Sequence, residues 1–154
     1  MQQYRAHTAT AVALVANTVQ TLLQIVTPST RRARLLRAGI SFDGVAASDV
    51  PVTVDLILQT SGGTASAMTP VALDPADPAA LVTALKTFTA EPTNAGGDAI
   101  VVAGPWFVTP NGGLWVPEWP QGLDVLMAIS TRVGIRAKAP TNAVNVLAHM
   151  IWQE

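Results

Sequence analysis

The alternation of apolar and polar residues with a period of two is the feature that most constrains the fold of this chain. A strand that turns one side toward a core and the other toward solvent has this period. The segments that show it are 19–25, 36–42, 52–58, 123–129, 133–139 and 144–152. Six or seven short strands separated by turns predict an all-β protein, an antiparallel β-sandwich of jelly-roll-like type.

Glycine, asparagine and proline lie between these segments. Ser61-Gly62-Gly63 follows the strand predicted at 52–58, and Asn111-Gly112-Gly113 lies between the aromatic run 106–108 and the run 114–116. Asn and Gly tolerate the positive φ angles that tight turns require. The second of these turns therefore predicts a hairpin that carries Trp106, Phe107 and Trp115.

One segment has the features of a helix. Asp77 suits the N-cap, Pro78 suits the first helical position, and Leu81, Leu85 and Phe88 are spaced for a single helical face. The sequence thus predicts one short helix in a crossover connection. Residues 1–18 come before the first clear strand and predict an N-terminal arm, followed by a single β-sandwich domain over residues 19–154.

The low charge content indicates assembly. Only 12% of residues are charged while 49% are hydrophobic, and a dispersed monomer generally needs a more charged surface. We therefore expect a homo-oligomer. The net charge of −1 does not favour nucleic acid. The apolar run at 9–16 is far shorter than the roughly 20 residues of a membrane span, so no membrane anchor is expected.

Few residues suit catalysis or metal binding. The chain has no cysteine, and its two histidines, His7 and His149, are 142 positions apart in sequence. A nucleophile needs a base and an orienting group, and a zinc site needs three or four ligands. Neither a Gly-x-Ser-x-Gly elbow nor a Ser-x-x-Lys pair is present. We therefore expect no enzyme activity, no catalytic residue, no metal site and no cofactor.

Two clusters are candidates for an interface. The first consists of Arg31, Arg32, Arg34 and Arg37, four of the nine basic residues. Arginines at this density suit a solvated strand start, the carboxylates of a partner subunit or phosphates. With no aromatic residue nearby for stacking, the partner subunit is favoured over nucleic acid.

The second cluster is aromatic and consists of Trp106, Phe107, Trp115 and Trp119. Such a cluster can belong to the core of a hairpin, to a subunit contact or to a sugar-binding platform. We predict that Arg31, Arg32, Arg34 and these four aromatic residues lie at subunit contacts.

Several segments resemble small virion proteins of tailed bacteriophages, the kind that decorate or reinforce an icosahedral head. The resemblance covers most of the chain from about residue 20 and excludes the tryptophan segment 105–120. The runs that carry it are Arg37–Gly44, Pro51–Leu56, Ser61–Ala65, Glu91–Thr93 and Ala139–Glu154.

This resemblance implies a non-catalytic β-sandwich on the outside of a capsid, made in the host cytoplasm. Such proteins are often trimers that clamp neighbouring subunits of the major capsid protein. The expected function is therefore that of a capsid decoration protein. The alternative is a β-sandwich module of a phage tail or cell surface that binds carbohydrate or a receptor through Trp106, Trp115 or Trp119.

Overall fold

The computed structural model describes residues 1–43, 50–97, 101–111, 113–117, 119, 124–140 and 143–154. Gly112 of the predicted turn and Leu123 of the predicted strand at 123–129 lie outside these ranges. Within them the chain forms strands and no helix. The strands are β1 (Gln3–His7), β2 (Val12–Leu14), β3 (Val19–Val26), β4 (Ala33–Phe42), β5 (Val52–Gln59), β6 (Thr64–Met68), β7 (Val71–Ala72), β8 (Thr83–Ala90), β9 (Val101–Val108), β10 (Leu114–Trp115), β11 (Val125–Met127), β12 (Arg132–Lys138) and β13 (Val144–Gln153).

The strands form two sheets. The seven-stranded sheet has the order β10-β4-β13-β1-β7, with β11 also pairing with β4 and β2 with β13. The six-stranded sheet has the order β6-β8-β3-β12-β5-β9. All ladders between these strands are antiparallel. The prediction of an all-β protein with two antiparallel sheets in a sandwich-like arrangement is confirmed.

The core lies between the two sheets. Side chains of both sheets form one cluster of buried apolar residues, including Ile40 and Trp152 of the seven-stranded sheet and Leu23 and Ile135 of the six-stranded sheet. Because side chains alternate along a strand, the residues between these positions point to the outer face of each sheet. The most regular alternations in the sequence correspond to the central strands β4, β5, β12 and β13.

The helix predicted from Asp77 to Phe88 is wrong. Thr83–Ala90 form β8, which pairs with β3 and β6. Tertiary contacts outweigh the helical spacing, because Ala84 is buried opposite Ile25 in the neighbouring strand. The backbone N–H groups of Leu81 and Val82 both donate to the carboxylate of Glu154, each at 3.0 Å. These contacts attach the segment before β8 to Glu154, the residue that follows the last strand.

Residues 1–18 do not form a separate arm in this structure. β1 is an inner strand, with β13 on one side and β7 on the other. Tyr4 and Ala6 are buried, and the ring of Tyr4 lies 6.2 Å from that of Trp152 in the adjacent strand. The short alternation of residues 3–7 was too brief to stand out in the sequence.

The hairpin predicted around the tryptophans does not form, because its two strands belong to different sheets. β9 pairs with β5 in the six-stranded sheet, whereas β10 pairs with β4 in the seven-stranded sheet. β9 and the next strand, β10, therefore belong to different sheets and are not neighbours in one ladder. No helix in the described ranges is long and apolar enough to cross a membrane.

Candidate functional site: the outer face of the seven-stranded sheet

The outer face of the seven-stranded sheet combines exposed apolar side chains with arginines. Its residues alternate along the strands with those of the core. We call this surface the arginine–leucine face. Its members are Arg5, Arg34, Arg37, Val71, Leu114, Leu126, Leu147 and Ile151.

The apolar members of this face are unusually accessible for a regular sheet. Leu114 is 67% exposed, Leu126 59%, Val71 47% and Leu147 39%. Soluble monomers rarely expose adjacent apolar side chains as a patch, and such patches commonly mark interaction sites. Leu114 and Leu147 flank Ser41 in one row of the sheet, whereas Leu126 pairs with Arg34, seven residues away along β4.

The two histidines lie side by side at the centre of the face. His149 pairs with His7 on one side and with Gly39 on the other. The N–H of Thr8 donates to the carbonyl of Ala148 at 3.0 Å, which makes His7 and His149 a non-hydrogen-bonded pair, where side chains approach most closely. Because strand pairing joins residues from the two ends of the chain, their separation in sequence concealed this proximity.

Gly39 provides the space for His149. A Cβ atom at Gly39 would lie 2.5 Å from Cε1 and 2.9 Å from Nε2 of the imidazole, so the ring lies directly over the glycine. Partial burial lowers the pKa of His149, and the positive charge of Arg37 and the proximity of His7 lower it further. The Nδ1 atom of His7 accepts a hydrogen bond from the N–H of Ala9 at 2.9 Å.

The predicted arginines lie at one edge of this face. Arg31 and Arg32 are exposed just before β4, and Arg37 is exposed on it. Arg34 forms a salt bridge of 3.4 Å with Asp124, and half of its side chain is exposed. Exposed pairs of this kind contribute little to stability. The guanidinium groups are therefore accessible to a partner.

The four predicted aromatic residues separate into two groups. Trp106 of β9 and Trp115 of β10 have ring centroids 4.6 Å apart at an angle of 49°, and they join the edges of the two sheets. Trp115 is 9% exposed, and Trp119 packs against the core. Phe107 is 76% exposed. Trp106 and Trp115 thus lack the exposed, coplanar arrangement that a sugar-binding platform requires.

Sequence reasoning missed a polar network on the six-stranded sheet. Gln59 accepts a bond from Gln24 at 2.7 Å and donates to Thr21 at 3.1 Å and to Asn94 at 3.2 Å. Gln24, Gln59 and Thr21 are all buried. Glutamine within an otherwise apolar strand was the only signal in the sequence. The network attaches the connection between β8 and β9 to the sheet.

A buried ion pair lies on the neighbouring strands of the same sheet. Arg136 donates to both carboxylate oxygens of Asp55, at 2.9 and 2.7 Å. Their side chains are 9% and 14% exposed. The pair lines a small depression of about 90 Å³. Within the described ranges no group of three or more His, Cys, Asp or Glu residues could hold a metal ion.

The fold is an all-β arrangement of two sheets, and the outer face of the seven-stranded sheet carries exposed apolar side chains and arginines. Comparison with protein-family models, with curated protein sequences and with solved structures found no match.

Proposed function

We propose that this chain is a non-enzymatic structural protein of a tailed-phage virion. In this proposal it decorates the exterior of the capsid as a homo-oligomer, with a trimer favoured, and bridges neighbouring subunits of the major capsid protein. The jelly-roll-like connectivity expected from the sequence is part of the same proposal.

The observation that carries the proposal is the arginine–leucine face. Leu114 and Leu126 are more than half exposed on strands of this sheet, and Arg34 lies opposite Leu126. A fully buried leucine contributes about 1.5–3 kcal/mol relative to an exposed one, so covering this face favours association. The low charge content of 12% is consistent with a protein that covers part of its surface in an assembly. The resemblance to phage decoration proteins supports the virion as that assembly.

The mechanism in this proposal is mechanical. Apolar burial supplies most of the association free energy, and arginine–carboxylate pairs select the orientation of the partner. A protein bound across two capsid subunits opposes their separation when the packaged genome presses outward. No bond is made or broken, and no titratable group has to change state.

The experiment compares particles of the phage whose genome encodes the chain with particles from a deletion of its gene. We expect the chain in purified heads at a copy number comparable to that of the major capsid protein, as measured by quantitative mass spectrometry. Heads without it should rupture at a lower temperature, and the purified chain should restore their resistance. Its absence from particles, or its presence in only a few copies at the tail, would contradict the proposal.

A matched pair of variants connects this result to the face. Leu147→Asp places a charge on β13 within the arginine–leucine face and should prevent restoration. Val15→Asp makes the same kind of change at a residue that is 57% exposed in the loop after β2, and it should restore heads normally. Equal restoration by both variants would exclude the face from the contact.

A further inference from the structure

Four basic side chains lie together at the centre of the arginine–leucine face. They are Arg5 and His7 on β1, His149 on β13 and Arg37 on β4. Arg5 and Arg37 flank Ile151 in one row of the sheet. His7 and His149 pair in the next row. Rows that are two residues apart along a strand are separated by about 7 Å. We call this group of four side chains the basic centre.

The arginines of the basic centre have no carboxylate partner among the described residues. The salt bridges there are those of Arg34 with Asp124 and of Arg136 on the other sheet. Arg5 and Arg37 are both exposed. A guanidinium group stays charged throughout the physiological pH range, and its planar fork matches a carboxylate. Both arginines can therefore bind carboxylates that come from outside the chain.

The histidines of the basic centre are also suited to an acidic ligand. Nδ1 of His7 accepts the N–H of Ala9 at 2.9 Å, so Nε2 carries the proton of the neutral ring and can donate a hydrogen bond. Among the described residues, the adjacent strands present His7, Arg5 and Arg37 to His149. Burial, Arg37 and His7 lower the pKa of His149, and a carboxylate bound above the ring would raise it.

We propose that the basic centre binds an acidic segment of the partner subunit, whose carboxylates contact Arg5 and Arg37. His149 takes up a proton when this contact forms, because the carboxylates stabilise the charged imidazole. The inference rests on the proposed function, since the partner is the capsid subunit that the chain bridges. It specifies the chemistry of that partner and makes the strength of the contact depend on pH.

The surroundings of the basic centre favour a protein as the acidic partner. Leu147, two residues before His149, is 39% exposed, and Val71, opposite Arg5, is 47% exposed. Apolar side chains of this kind are buried in protein contacts, whereas nucleic-acid contacts are more polar and more strongly cationic. The net charge of −1 gives no overall attraction for a polyanion. A twofold contact between two copies would bring two basic centres together and is disfavoured by repulsion.

The test is fluorescence anisotropy of the purified full chain with three labelled probes. The first is a peptide that alternates leucine with glutamate, the second has glutamine in place of glutamate, and the third is an oligothymidylate of equal charge to the first. At neutral pH the glutamate peptide should bind about tenfold more tightly than either of the others, because it supplies both the carboxylates and the apolar side chains.

Substitutions connect this binding to the basic centre. Arg5→Gln and Arg37→Gln should each weaken binding of the glutamate peptide by about fivefold, because each removes one charge-assisted contact. Lys138→Gln is the matched control, since it removes one exposed charge at the end of β12 in the other sheet, and it should leave the affinity unchanged. Circular dichroism establishes that each variant is folded.

The pH dependence tests the role of His149. The affinity should rise as the pH falls through the His149 pKa of the complex, and it should level off below the lower pKa of the free chain. Between about pH 7.5 and about pH 5.5 the wild-type chain should gain about threefold or more in affinity, while glutamate, with a pKa of about 4.3, stays ionised. His149→Gln should lose most of this gain. A wild-type affinity that does not change with pH would contradict the proton uptake.

Three results would overturn the inference as a whole: equal affinity for the glutamate and glutamine peptides, unchanged affinity in both arginine variants, or tightest binding of the oligothymidylate. Self-association that both arginine variants abolish in sedimentation velocity would assign the face to a second copy and overturn it as well.

The capsid proposal is tested separately by the particles. Normal restoration of heads by both Arg5→Gln and Arg37→Gln would reject this contact and leave the capsid proposal standing. Binding of the acidic peptide through the basic centre by a chain that is absent from particles would keep the site and reject the capsid proposal.

Discussion

At the scale of single residues, His149 is the side chain with the most distinctive environment. It lies over Gly39, beside His7 and near Arg37, on an outer face where a histidine is ordinarily well solvated. Its sequence neighbours indicated only a polar position on the last strand. The row Gly39–His149–His7 exists because three strands from distant parts of the chain are adjacent.

The lowered pKa of His149 predicts a pH dependence of stability. The reference pKa is 6.5, and burial, Arg37 and His7 lower it in the folded chain. As the pH falls below 6.5, the unfolded chain takes up a proton that the folded chain resists. This contribution to stability is complete above pH 6.5 and is lost as the pH falls through the lower folded value.

Urea unfolding across this range measures the effect. His149→Gln should reduce the pH dependence, and NMR titration should show a higher His149 pKa in Arg37→Glu than in wild type. A wild-type His149 that titrates above 6.5 would contradict the argument.

Packing requires a glycine at position 134, because the structure leaves no room for a side chain there. A Cβ atom there would lie 2.2 Å from Oε1 and 2.8 Å from Cδ of the buried Gln59. Gly134→Ala should therefore displace Gln59 from Gln24 and Thr21, and leaving buried polar groups without partners costs about 1–3 kcal/mol. Chemical denaturation measures this loss in the free energy of unfolding.

The control for this substitution is Gly62→Ala. Its Cβ would meet Leu85 Cδ1 at 3.2 Å, a flexible contact, so the loss should be under about 1 kcal/mol. Equal losses in the two variants would show that the network around Gln59 is not what requires glycine at 134.

At the scale of elements, the contact between β9 and β10 closes one side of the sandwich. Each strand lies at an edge of its own sheet, and Trp106 and Trp115 fill the space between them. Tryptophan is large enough to span two sheets about 10 Å apart when paired in this way. The four aromatic residues that are close in sequence thus have two different environments. Three tryptophans pack against the core, and Phe107 is exposed to solvent.

Substitution of these aromatic residues should separate the two groups. Trp115→Ala removes a buried ring that contacts the other sheet and should lower the free energy of unfolding by about 3–5 kcal/mol. Phe107→Ala is the matched control, because its ring is 76% exposed, and it should change stability by less than about 0.5 kcal/mol. Denaturant titration measures both. A large loss in Phe107→Ala would indicate that the ring is covered in solution, as in an oligomer.

At the scale of the whole molecule, pairing of the N-terminal strand β1 with the C-terminal strand β13 brings the two ends of the chain together. β1 pairs with β13 over five residues, from Gln3↔Gln153 to His7↔His149. Gln2 and Glu154 exchange backbone hydrogen bonds at 3.4 and 3.0 Å. The first and last strands are therefore central to the same sheet, and the fold is complete only when both are present.

Deletion of residues 1–8 should abolish cooperative folding. It removes Tyr4 and Ala6 from the core and leaves the inner strand β13 with an unpaired edge. Thermal unfolding by circular dichroism measures the result. Replacement of the exposed residues 9–11 with Gly-Ser-Gly is the control and should leave cooperative unfolding intact. A truncated chain as stable as wild type would mean that β1 is dispensable, as the predicted arm would have been.

The sequence by itself determined the class of fold and the main strands. β4, β5, β12 and β13 follow from alternation, because the period of two is a local property of an extended chain with one buried side. The low charge content and the clusters of arginine and tryptophan were equally visible, since they depend only on composition and spacing.

Only the tertiary structure decided which strands are neighbours. Alternation specifies which side of a strand is buried and carries no information about its partner in the sheet. For this reason the sequence predicted a helix where β8 is captured between β3 and β6, and a hairpin where Trp106 and Trp115 join two sheets. The histidine row and the Gln59 network arise from the same long-range pairing, which brings residues distant in the chain to adjacent positions.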